Sequence, residues 1–270
     1  MSKIQEQLLD LGVMDQLARL DTPVHRLDPR AKILAALALI VAAVSFESHQ
    51  VSALLPLVLF PVALASLGRV PAGVILRKLL LALPFVLFVG LFNPILDRET
   101  ALRVGGVAVS GGWLSLLSIL LRSALTLGTA LVLIAVTGMP ALGAGLERLG
   151  APRAFVVQLL FLHRYLFVLG EEALRMSRAR AQRTFGGRGT GLRATAPLLG
   201  NLLLRTLDRA ERVYTAMKAR AFDGEVRLRR VLRFTPADAA FVAGWCAFFA
   251  AARLWNLPRL LGDLVSGAAR

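Results

Sequence analysis

The chain has 270 residues, is 56% hydrophobic and carries a net charge of +15, with a mean hydropathy of +0.65. Its apolar residues fall in long runs, which excludes an ordinary soluble domain, and a nucleic-acid binder has no use for bilayer-length apolar runs; positive-inside membrane insertion explains both features together. The single cysteine, Cys246, lies in an apolar run and excludes an intrachain disulfide or a thiol-rich metal site.

The first twenty residues mix acids and bases and lack the apolar core of a signal peptide. Ile4, Leu8, Leu11 and Met14 recur at helical spacing, so a short amphipathic helix is expected there, lying on the membrane or on a neighbouring helix. Next comes Thr22-Pro23-Val24-His25-Arg26-Leu27-Asp28-Pro29-Arg30-Ala31-Lys32. Asp28 suits a helix N-cap and Pro29 a first helical residue. Arg30 and Lys32 are expected to hold that helix end at the lipid headgroups.

Membrane spans are expected at 31–46, at 51–67 with a kink from Pro56 and Pro61, at about 79–96, and at 113–136. Arg122 falls inside the fourth span; the expectation is that it snorkels or pairs with a backbone carbonyl of the bundle. After Thr137 the texture changes to alternating apolar and basic residues. A short helix starts at Pro140. A long amphipathic one runs from Arg153 to about Thr184, along the membrane surface or dipping in. A third runs from about Pro197 to Phe222. On the third, Leu203, Leu207, Ala210, Tyr214, Met217 and Ala221 repeat every three or four residues, an apolar seam suited to packing on another helix. The last span is expected at about 236–257, started by Thr235 and Pro236 with Asp238 in its first turn.

The expected architecture is therefore an all-α polytopic membrane protein. About five transmembrane helices carry a cytosolic domain of about three amphipathic helices. Residues 1–137 form the surface helix and spans one to four, residues 138–234 the cytosolic segment, and residues 235–270 the last span and tail. Residues 141–233 hold 18 Lys or Arg against 7 Asp or Glu, +11 of the total +15, which puts that segment and the N-terminus in the cytosol.

Within the basic segment one phrase occurs twice. Met176-Ser177-Arg178-Ala179-Arg180-Ala181 is followed by Phe185-Gly186-Gly187, and Met217-Lys218-Ala219-Arg220-Ala221-Phe222 by Asp223-Gly224. Each copy closes a helical pattern, with a glycine expected to supply the left-handed cap. Alanine on both sides lets another protein approach the backbone closely, while arginine offers a planar fork of donors suited to carboxylates. Ala179, Arg180, Ala181, Ala219, Arg220 and Ala221 read as a paired docking device.

Enzyme motifs are missing from the sequence: there is no HExxH, GxSxG or GxxxxGK[ST]. His25, His49 and His163 are scattered and make no metal site. His163 with Glu172 can be drawn as an acid–base pair of an intramembrane enzyme, against the plainer reading of polar residues where a helix leaves the bilayer. Without a nucleotide-binding loop the chain cannot drive transport itself.

The leading segment 22–32, the block Glu172-Ala173-Leu174-Arg175-Met176 running to Ala179-Arg180-Ala181, and the block Asp208-Arg209-Ala210-Glu211-Arg212 running to Ala219-Arg220-Ala221-Phe222-Asp223-Gly224 resemble the transmembrane T component of energy-coupling factor (ECF) transporters, in its cobalt-type CbiQ branch. The family pattern Ala-Arg-Gly carries alanine here at Ala181 and Ala221. The resemblance implies a scaffold without catalysis or cofactor of its own. It implies two ECF-type ATPase subunits on the cytosolic face, which bind ATP and Mg, and a separate membrane subunit that captures the substrate, cobalt in this branch. A T component shared among vitamin-capturing subunits is the alternative within the family. The implied partners are those proteins and the lipid bilayer, with no nucleic acid.

Overall fold

A computed structural model describes residues 12–46, 51–92, 100–104, 107–183, 192–224 and 233–254. The expectations placed on residues 1–11, on the end of the third span at 93–96, on Phe185-Gly186-Gly187 and on the end of the last span at 255–257 lie outside the described residues. The described chain is helical apart from one small hairpin. Residues 12–17 are helical, followed by α1 (Pro23–Arg26), α2 (Pro29–Ser45) and α3 (Val51–Leu54). A 3₁₀ turn at Leu55–Val58 leads into α4 (Leu59–Leu67), then α5 (Ala72–Gly90). Strands β1 (Thr100–Val104) and β2 (Val107–Ser110) pair antiparallel, where the sequence reads as a loop. Then come α6 (Gly111–Thr137), α7 (Met139–Arg148), α8 (Arg153–Arg183), α9 (Leu192–Ala219) and α10 (Pro236–Leu254).

The chain divides into two compact units, one of residues 17–138 with 231–270, the other of residues 1–16 with 139–230. Among the described residues, four helices are long and apolar enough to cross a membrane: α5, α6 from Gly112, α8 and α10. The protein is a polytopic membrane protein. In its membrane helices large apolar side chains such as Leu81, Phe85 and Phe88 on α5 stand exposed, as they do when lipid is the solvent. The break expected from Pro56 is the 3₁₀ turn that divides α3 from α4. Two boundaries move. Helix α5 starts at Ala72 rather than near Leu79, and α9 starts at Leu192 with Pro197 inside it rather than at its head.

The first unit is organised around α2. Asp28 caps it, accepting the Arg30 N–H at 2.9 Å, with Pro29 in the first turn as the sequence predicts. Arg30 folds back on Asp28 and stacks over Phe234, its guanidinium 5.3 Å from the ring centroid. Lys32, by contrast, does not reach the headgroups. Its side chain is buried and Nζ donates to the Val136 carbonyl at 3.0 Å, in the last turn of α6, where the helix dipole favours a cation. At the start of α10, Asp238 is also buried. Its Oδ2 accepts the Thr235 N–H at 2.8 Å and the Thr235 hydroxyl at 2.7 Å, and its Oδ1 accepts the Asp28 N–H at 2.8 Å. The first two bonds resemble a capping box, and the third joins α10 to α2.

The far end of α2 is tied as firmly. A helix of 17 residues spans about 25 Å, short of a hydrocarbon core of about 30 Å, so its last carbonyls need donors within the membrane. Arg122 of α6 donates to the Phe46 carbonyl at 2.9 Å, which is the backbone pairing expected of it. Arg253 of α10 donates to the Ser45 hydroxyl at 2.9 Å and carbonyl at 3.2 Å. These ties make α2 and α10 parallel and α6 antiparallel to both. Phe60 of α4 fills the core between them, edge-on to Trp245 and Phe249 with centroids 4.9 and 5.6 Å away. Where α4 ends, a Cβ on Gly68 would come 2.6 Å from the Val136 side chain, so only glycine allows this approach to α6.

Candidate functional site

The second unit carries both Ala-Arg-Ala sequences. Helix α7 packs on α8 through Gly143, whose missing side chain leaves room for Leu160 and Val156. Helices α8 and α9 are bridged by Glu172. One carboxylate oxygen accepts from Arg175 on the same helix and the other from Arg205 on α9, each at 2.7 Å. Beyond this bridge the helices part and leave an open groove of about 740 Å³. Its α8 wall includes Met176, Ala179, Arg180 and Arg183, and its α9 wall includes Leu198 and Asn201. Four arginines and one glutamate line it, a strongly cationic surface.

The two copies of the motif are not equivalent. Ala179, Arg180 and Ala181 lie inside α8, which runs on to Arg183; the alanines are exposed and Arg180 is half-buried against the groove. In the second copy Ala219 ends α9, and Arg220 and Ala221 form its cap. The Phe222 N–H returns to the Met217 carbonyl at 3.0 Å and the Ala221 N–H to that of Lys218 at 3.0 Å, the two bonds of a Schellman motif. Ala221 itself takes the left-handed conformation, with φ of 50°. The cap expected from a following glycine is therefore supplied by the alanine of the motif. Gly224, also at positive φ, comes after the helix has closed.

The predicted seam on α9 does not pack on a helix among the described residues. Leu203, Leu207 and Tyr214 are 60, 53 and 63% exposed, and Ala210 is exposed. The half-buried face is Leu202, Thr206, Arg209, Val213 and Met217, so only Met217 belongs to both. Helices α8 and α9 meet over a short stretch instead of running side by side, and the face at that meeting is set by the Glu172 bridge.

His163 and Glu172 are not brought together. Nine residues apart on one helix, they lie about 13 Å apart along its axis and point to opposite sides. His163 Nε2 is 3.7 Å from Asp15 Oδ1, while both Glu172 oxygens are engaged by arginines. Among the described residues no group of three or more His, Cys, Asp and Glu is placed to hold a metal ion. Sequence reasoning missed the buried pair Lys32 and Asp238. The available signal was a lysine one turn after a helix cap at the head of an apolar run, where a headgroup role and a buried role look alike.

A family model described as cobalt transport protein, CbiQ, matches residues 21–230, from the leading segment through both Ala-Arg-Ala copies. The energy-coupling factor transporter transmembrane protein EcfT of Heliobacterium modesticaldum is 30% identical over 263 residues, 90% of this chain and 97% of that protein. The EcfT of Bacillus subtilis is 30% identical over 217 residues, 74% of this chain and 81% of that one. The cobalt transport protein CbiQ of Rhodobacter capsulatus is 39% identical over 102 residues, 37% of this chain and 41% of that one.

Proposed function

The chain belongs to the CbiQ family of cobalt transport proteins, and on that premise we propose that it is the T component of an ATP-driven ECF importer. In this reading it joins two ATPase subunits, which bind ATP and Mg, to a membrane subunit that captures the substrate, cobalt ion. It has no catalysis of its own. The observation that carries the reading is the pair of Ala-Arg-Ala sequences on one unit, borne by two helices that a single carboxylate bridges. Each arginine sits at or near a helix C-terminus, flanked by exposed alanines, and is suited to enter a groove on an ATPase and meet a carboxylate there. Movement of the two ATPases then shifts α8 against α9, and that shift reaches the transmembrane helices.

The positive-inside rule gives the orientation: the N-terminus and residues 138–234 on the cytosolic side of a bacterial inner membrane, with the C-terminus outside. Chain order supports the same crossing count. The end of α6 and the start of α10 both meet the first turn of α2, so the segment between them crosses an even number of times. Helix α9 carries Arg205, Asp208, Arg209, Glu211 and Arg212 along its length and is too polar to cross, so in this reading α8 does not cross alone, and the five spans are α2, α3 with α4, α5, α6 and α10.

The test is co-purification with the ATPases and uptake in reconstituted vesicles. Arg180→Glu with Arg220→Glu detaches the ATPases or abolishes uptake while the protein remains inserted, because a buried ion pair that loses one partner costs about 3–5 kcal/mol. Arg188→Glu and Arg193→Glu do much less; Arg188 lies outside the described residues. Equal weakening by all four reversals would mean a diffuse basic surface. The long match to proteins named EcfT favours one further reading, a T component shared among several vitamin-capturing subunits. The identity of the co-purifying membrane subunit decides between the two.

A further inference from the structure

The leading segment 22–32 is the most polar stretch of the first unit to be buried, and nothing in the coupling reading uses it. Three observations concern its last turn. Lys32, 1% exposed, donates to the Val136 carbonyl at 3.0 Å. Asp238, 2% exposed, accepts the Asp28 N–H at 2.8 Å. Asp28 and Lys32 are four residues apart and so lie on one turn of α2. Val136 is two residues before Gly138, where the chain leaves the transmembrane unit, and Asp238 is three after Thr235, where it is back in it. The segment 139–230, which bears both Ala-Arg-Ala sequences, is thus connected to the membrane helices at two points, and both are fastened to the same turn of the same helix.

Burying a lysine and an aspartate at the ends of membrane helices is expensive, and plain packing would be served as well by apolar residues of the same volume. Two buried charged groups there have a use that apolar contacts lack: their bonds are directional, and they fix the carbonyl of one helix end and the amide of another relative to a third.

We propose that Lys32 and Asp238 are positioning residues of the transport cycle, holding the two chain connections of segment 139–230 at a fixed separation so that its movement is passed into the membrane helices. This rests on the coupling reading above. With the clamp loosened, the connections absorb the displacement locally, and ATP is hydrolysed without substrate crossing. Thr235 contributes through its two bonds to Asp238, and Arg30, on the same turn, braces Asp28.

The experiment uses the complete complex, with its ATPases and substrate-capturing subunit, in proteoliposomes. ATP hydrolysis and uptake are read together. Lys32→Met and Asp238→Asn are expected to keep the assembled complex and its hydrolysis while lowering uptake per ATP about tenfold, in the range of an ordinary coupling free energy. Thr235→Val, which leaves both charges in place, keeps the test valid if the first two variants fold poorly, and is expected to lower uptake per ATP by a smaller factor. Spin labels at Gly138 and Phe234 give the second readout: a narrow distance distribution in the parent and a broad one in Lys32→Met. Unchanged uptake per ATP in all three variants overturns the proposal. So does a loss of uptake strictly proportional to the loss of assembled complex, which would make the clamp merely structural. If the parent chain brings down no ATPase, the coupling reading itself has failed; if it does and the variants stay coupled, only the clamp has.

Discussion

Asp238 Oδ1 accepts the backbone N–H of Asp28 at 2.8 Å across 210 positions of sequence, while Oδ2 holds the Thr235 N–H and hydroxyl. One buried carboxylate therefore serves the starts of two parallel helices. Removing it orphans three donors beside the buried Lys32. Asp238→Ala is expected to lower stability by about 3–5 kcal/mol. Asp238→Asn keeps an acceptor and is expected to lose only about 1–2 kcal/mol. Denaturant titration in detergent micelles measures both. An alanine variant as stable as the parent would show that the bond to Asp28 contributes nothing.

Glycine at the third position of the two Ala-Arg-Ala copies should have opposite effects. Ala221 sits at φ of 50°, a conformation that costs an L-residue with a Cβ about 1–2 kcal/mol and glycine almost nothing. Ala221→Gly is therefore expected to stabilise the end of α9 by about 1 kcal/mol. Ala181 lies within α8, where Ala→Gly costs about 1 kcal/mol. Amide exchange of residues 178–183 and 219–222 reports each change locally: protection rises at the second copy and falls at the first. The same sign at both sites would contradict the different backbone roles.

His25 gives a pH dependence whose sign can be worked out. Its Nε2 meets the Leu17 carbonyl at 3.0 Å and its Nδ1 the Thr22 hydroxyl at 2.7 Å, which fits the neutral ring with the proton on Nε2. Burial holds its pKa below the ordinary histidine value of 6.5; the Leu17 bond opposes this and the Lys32 charge adds to it. The unfolded chain then binds the extra proton first. The contribution of His25 to stability is complete above about pH 6.5 and is lost as pH falls through that value toward the lowered folded one. Thermal unfolding across this window should show the loss, and His25→Gln should remove the part of the slope that belongs to this ring. An unchanged slope would mean that the ring is not buried in its neutral form.

Cobalt and nickel should not bind the isolated chain with useful affinity, because the described residues offer no cluster of histidine, cysteine or carboxylate ligands. Calorimetric titration of the purified protein with either ion is expected to show no stoichiometric binding near micromolar concentration. A saturable site of that strength would place substrate capture, at least in part, on this chain.

Periodicity and composition determine the helices of this protein because both depend on local spacing. Long apolar runs specify the spans, Asp28 with Pro29 starts α2, and Pro56 gives the break before α4. The paired Ala-Arg-Ala copies were equally legible, as a repeat at two helix ends. What local spacing cannot carry is which helix meets which, and therefore what a polar side chain finds when it is buried. Lys32 reads as a headgroup anchor until the last turn of α6 is beside it, and Asp238 as an ordinary first-turn acid until Asp28 is. Glu172 reads as a polar residue where a helix leaves the bilayer, and can be drawn as half of an acid–base pair, until Arg205 arrives from α9. The α9 seam reads as buried because the apolar stripe is real, but the Glu172 bridge turns a neighbouring face toward α8. Local spacing thus specifies the elements and the charged residues they carry, while their partners belong to the packed molecule, because pairing across 33 to 210 positions depends on how helices pack and not on the order of residues along any one of them.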